Sequence, residues 1–201
     1  LHDALPILQP TGILETAKAT NPLRDLQRYG QSVWLDYIRR DLMTSGQLAR
    51  LIRDDGLTGM TSNPAIFEKA FTSDSYAEAM CAAVRSGRTA GEIYELLAIG
   101  DIRDAADLLR PVHDASAGAD GFVSLEVSPY LALKGPETAE EAERLWKAVD
   151  RPNLMIKIPG TDDGVRAIRD TIAKGINVNV TLLFGQEAYK AVAIAHAEGL
   201  E

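Results

Sequence analysis

Disulfide bonds within the chain are excluded at once, because its 201 residues hold one cysteine, Cys81. That fits a reducing compartment, so a cytoplasmic location is expected, with Cys81 packing on a helix rather than serving as a reactive thiol. Histidines are as scarce: His2, His113 and His196 are the whole set, and none neighbours a catalytic-looking motif. Neither metal-ligand spacing nor a serine–histidine triad is visible, and no cofactor is expected. No apolar run approaches the ~18 residues of a membrane span, and the amino end lacks the basic start and apolar core of a signal peptide. Positive charge is in deficit, with 21 Lys and Arg against 29 Asp and Glu. The formal charge of −8 leaves no basic footprint, so neither nucleic acid nor a membrane is an expected partner. Oligomeric state is left open.

What is present is ordinary globular composition, 46% hydrophobic and 25% charged, enough to bury a sizeable core. Short apolar runs alternate with longer amphipathic ones, the pattern of β/α units on a parallel sheet. Strands are expected at Ser32–Tyr37, Leu57–Ser62, Gly121–Val127, Leu154–Ile158 and Ile176–Leu183. A helix is expected near Thr44–Asp55, ended by Gly56, and another opening at Asn63-Pro64. A helical insert follows at Ser75–Ser86 and Thr89–Leu109, broken at Gly87 and Gly91. The helix Thr138–Val149 begins with a capping-box pattern, and helices at Gly164–Lys174 and from Gln186 onward complete five units. Arg39-Arg40 and the Glu137–Glu143 region read as solvated helix faces, and Trp34 as core.

One residue conflicts with its setting. Lys157 interrupts Leu154-Met155-Ile156-Lys157-Ile158-Pro159, a run whose other members read as buried strand. A buried ammonium tends to lose its proton, leaving an amine able to attack a carbonyl and form a Schiff base; the alternative is a strand-end lysine snorkelling to solvent. Alternation along strands puts Trp34 with Asp36, Ser124 with Glu126, Met155 with Lys157, and Asn177 with Asn179 and Thr181. In a parallel barrel one face looks inward, and catalytic groups gather at the carboxyl ends of strands. No Gly-x-Gly-x-x-Gly loop follows any strand, which disfavours a doubly wound dinucleotide fold. The fold class expected is therefore α/β, a (β/α)8 TIM barrel. Taken singly, Asp36 and Glu126 also fit exposed strand ends, Asn63 a helix cap, and Thr181 a β-branched strand filler.

Five segments in order, Gln31–Ile38, Thr61–Phe67, Ser124–Pro129, Ile156–Thr161 and Gly175–Phe184, together resemble bacterial transaldolase. The resemblance covers residues 20 to 201. It implies a metal-free class I transferase of the non-oxidative pentose phosphate pathway. Such an enzyme moves a dihydroxyacetone unit from sedoheptulose 7-phosphate to glyceraldehyde 3-phosphate. It further implies Lys157 as the Schiff-base nucleophile, Glu126 working through a water held by Thr181, and Asp36 as the proton acceptor at the hydroxyl beside the broken bond. Asn63, Asn179 and Ser124 would be substrate-binding.

Two departures accompany the match. A full barrel takes about 250 residues, so the chain reads as a barrel truncated after about five units, with its strand edges unpaired. The serine and arginine that the family's sixth strand brings to the substrate phosphate have no counterpart. Residues 1–19 read as a non-family leader, Leu1–Ile7 looking like a translated sequencing adaptor, and residues 20–201 as a partial barrel domain. Longer relatives include fusions to a glucose-6-phosphate isomerase. The alternatives are a sugar-phosphate aldolase of the same fold and a catalytically inert fragment.

Overall fold

The computed structural model describes residues 21–201; the leader read at 1–19 lies outside them. A first turn, α1 (Pro22–Asp25), leads to β1 (Trp34–Asp36), α2 (Arg40–Thr44) and α3 (Gln47–Arg50). β2 (Gly59–Thr61) and α4 (Pro64–Ala70) come next, then the helical insert α5 (Ala77–Arg85) and α6 (Ala90–Ala115). The remaining units are β3 (Phe122–Glu126) with α7 (Gly135–Val149), β4 (Leu154–Pro159) with α8 (Asp162–Ile172), and β5 (Val178–Thr181) with α9 (Gln186–Leu200).

All five strands are parallel and lie in chain order, β1-β2-β3-β4-β5. A doubly wound sheet reverses its strand order at a switch point. This sheet does not, so its sequential course is that of a barrel's arc. Met60, Val123, Leu125, Ile156 and Ile158 share one face and are buried with Ile102, Leu109, Leu145 and Ile168 from α6, α7 and α8. The opposite face carries Asp36, Thr61, Ser124, Glu126, Lys157 and Asn179, which the register sets in adjoining rows. Gly59 lies on that same face under Trp34, and a Cβ there would sit 2.2 Å from the indole. Trp34 is partly buried on the polar face and lies outside the main apolar cluster.

Local differences from the sequence reading have physical causes. The helix expected at Thr44–Asp55 is interrupted at Gly46, whose φ of 76° breaks the turn; a π-helical turn at Leu51–Asp55 then ends at Gly56, as expected. Thr138 is not a helix cap. α7 begins three residues earlier, and the Thr138 hydroxyl donates to the Leu131 carbonyl at 2.8 Å. The capping box belongs instead to Thr89 and Glu92 at the start of α6. Gly91 falls inside α6, which runs beyond Leu109 through Pro111. Cys81 lies on α5 as placed, but exposed rather than packed.

Arg40 is not a solvated-face residue either. Its guanidinium pairs with fully buried Asp101 at 2.9 Å and lies over the Tyr76 ring. The Tyr76 hydroxyl donates to the other Asp101 oxygen at 2.5 Å and accepts from the Arg40 backbone N–H. Burial raises the Asp101 carboxyl, opposed by its bonds to Tyr76 and Arg40. The network ties the start of α2 to the helical insert.

Candidate active site

Four of the seven expected site residues stand at or just beyond the carboxyl end of a strand. Asp36, Glu126 and Thr181 are the last residues of β1, β3 and β5, and Asn63 follows β2 by two. Lys157, inside β4, is flanked in register by Glu126 on one side and Asn179 on the other. Its side chain is only 11% exposed, with Nζ 3.5 Å from a Glu126 carboxylate oxygen and donating to the Ser62 carbonyl at 3.3 Å. Strand alternation alone produces this juxtaposition, since three neighbouring strands aim these side chains at one another.

Three electrostatic influences meet at Glu126. Burial raises its carboxyl, the Lys157 charge and hydrogen bond pull it down, and the Asp36 charge pushes it up again; the net direction is upward from 4.5. A cavity of about 400 Å³ between α6 and α7 is lined by Tyr94, Ile99, Leu125, Leu145 and Pro129 and reaches Glu126 without touching Lys157. Burial and the Glu126 charge push the Tyr94 hydroxyl up to about 12. Glu126 thus sits between an apolar cavity and an amine, an environment suited to a group that exchanges a proton.

The other residues divide. Asn179 donates its amide to the Ser124 hydroxyl at 2.8 Å, and Ser124 is fully buried, so these two hold each other beside Lys157. Asn63 caps α4, its side-chain oxygen accepting from the Ile66 N–H at 2.9 Å. That leaves its amide nitrogen for other contacts. Asp36 is exposed at the rim, and among the described residues neither Asp36 nor Thr181 bonds through its side chain to the Lys157 cluster. No three His, Cys, Asp or Glu side chains are grouped as a metal cage among the described residues.

Two residues were missed in the sequence. Thr61 stands in register between Asp36 and Ser124, with its hydroxyl buried and unpartnered; alternation in Leu57–Ser62 could have put it on the polar face. Tyr94 carries no such signal, because an aromatic at helical spacing reads as core.

A sequence profile of the family described as "Transaldolase/Fructose-6-phosphate aldolase" matches residues 33–199. The chain is 47% identical over 184 residues to "Transaldolase 2" of Nostoc punctiforme, covering 91% of this chain and 48% of that protein. It is 50% identical over 181 residues to "Transaldolase" of Thiobacillus denitrificans, with coverages of 90% and 50%. Identity to "Transaldolase" of Frankia alni is 49% over 183 residues, with coverages of 90% and 49%. The chain spans about half the length of the curated relatives it matches.

Proposed function

We propose a transaldolase reaction for this site from one premise: the chain belongs to the transaldolase/fructose-6-phosphate aldolase family. The observation that carries the reading is an amine in an apolar strand, little exposed and 3.5 Å from a carboxylate whose own proton affinity is raised. An amine adds to the ketone carbon of a sugar phosphate, a C–N bond forms, and the carbonyl oxygen takes up a proton. Water then leaves and an iminium remains. Glu126 is suited to give and take those protons through a water. Thr181 lies on the same face two residues beyond Asn179, the residue that stands across β4 from Glu126, where its hydroxyl is suited to hold that water.

Asp36 takes the proton of the β-hydroxyl. The α–β carbon–carbon bond breaks, its electrons pass to the iminium, and an aldehyde departs while a three-carbon enamine stays on the lysine. An acceptor aldehyde reverses the steps. The amide groups of Asn63 and Asn179, and Ser124 behind Asn179, fix the hydroxyls of the three-carbon unit, which makes the break a matter of geometry as much as of charge. Sedoheptulose 7-phosphate as donor and glyceraldehyde 3-phosphate as acceptor place the reaction in the cytoplasmic non-oxidative pentose phosphate pathway.

The name transaldolase borne by the relatives favours transfer over the release of a simple aldolase. Supplying fructose 6-phosphate with erythrose 4-phosphate tests it. Sedoheptulose 7-phosphate is the expected product, and free dihydroxyacetone in its place would favour an aldolase.

A further inference from the structure

We propose that Ser62 is a positioning residue: its hydroxyl, by bonding to β3, turns its own backbone carbonyl onto the amine of Lys157. The geometry stands by itself, and only its catalytic consequence rests on the Schiff-base reading above. The register between β2 and β3 ends at the pair Thr61 and Ser124. One residue later, the Ser62 hydroxyl donates to the Ser124 carbonyl at 2.8 Å. Ser62 is 1% exposed and Ser124 fully buried, so both carbonyls need partners inside the protein. For Ser62 the partner is Lys157 Nζ at 3.3 Å.

The contact fixes more than a distance. A free ammonium has three N–H bonds and can satisfy Glu126 and Ser62 together, whereas an iminium formed on the same nitrogen keeps one. That remaining N–H, held by the Ser62 carbonyl, sets the plane of the C=N bond relative to the side chains of Glu126 and Asn179. The hydroxyl of Ser62 therefore acts on the reaction through the lysine, without touching a substrate.

The test needs no sugar. Lysines of the intact chain are methylated with formaldehyde and cyanoborohydride, and the rate at Lys157 is read by peptide mass spectrometry against exposed Lys147 and Lys174. Ser62→Ala should accelerate Lys157 by about fivefold, the equivalent of one hydrogen bond of ordinary net strength, with the other two unchanged. Ser62→Thr, which keeps the hydroxyl, should restore the original rate. Ile168→Val on α8, a core truncation away from the site, should leave the Lys157 ratio where it was. An unaltered Lys157 rate in folded Ser62→Ala overturns the proposal, as does acceleration by Ile168→Val. If the alanine variant does not melt cooperatively, Ser62→Cys, with its weak donor, decides in its place by the same criterion. Loss of fructose 6-phosphate trapping by the unsubstituted chain would strike at the Schiff-base reading and leave the labelling result standing.

Discussion

Glu126 joins structure to chemistry at the scale of single residues, because burial and the Asp36 charge raise its carboxyl while Lys157 resists. A carboxyl whose folded value is raised binds protons more tightly in the native state. The unfolded chain then ionises first as pH climbs past 4.5, so wild-type stability falls from there until the folded group has ionised as well. Glu126→Gln removes that dependence: its melting temperature relative to wild type should increase as pH rises through this window, and a relative decrease would contradict the assignment. Gly59 offers a steric counterpart. A methyl group would meet the Trp34 ring at 2.2 Å, so Gly59→Ala should cost about 1–3 kcal/mol, read as a lowered urea midpoint. Lys157 and Glu126 were legible in the sequence because each interrupts an apolar strand. Thr61 and Tyr94 were not, since a threonine in a strand and a tyrosine in an amphipathic helix violate nothing.

Among elements, the strands and their faces were read well and the helix ends poorly. Alternation over five short runs suffices to place Asp36, Glu126, Lys157 and Asn179 on one face, because parallel neighbours align residue to residue. Caps are less legible, since Thr-x-x-Glu occurs both at Thr138–Glu141 and at Thr89–Glu92, and only tertiary contacts choose between them. At Thr89 both halves of the capping box form, while Thr138 turns back to the Leu131 carbonyl. Thr89→Ala should cost about 1 kcal/mol. Thr89→Ser should recover most of it, both read by thermal melting; an unchanged melt in Thr89→Ala would contradict the cap. The Arg40, Tyr76 and Asp101 network was invisible for another reason, its members being 36 and 25 residues apart along the chain.

For the whole molecule, the arc leaves β1 and β5 as its outer strands. Apolar side chains cluster in sequence on the β5 side: Phe184 is 92% exposed, Tyr189 65% and Ile194 55%. Such a surface seeks a cover. The chain alone should associate with increasing concentration, and Phe184→Ser with Ile194→Lys should shift its elution toward a monomer; a concentration-independent monomer without these changes would contradict this. The polar face does not depend on that cover for its internal geometry, because the neighbours of Lys157 come from Ser62, Glu126 and the adjoining Asn179 within the arc. The most direct measurement is therefore borohydride reduction in the presence of fructose 6-phosphate, with the adduct located by peptide mass spectrometry. A three-carbon or six-carbon adduct on Lys157, lost in Lys157→Met while Lys147 and Lys174 stay unmodified, is the expected result. A folded chain that gives no adduct, or gives one spread over its lysines, would contradict the account.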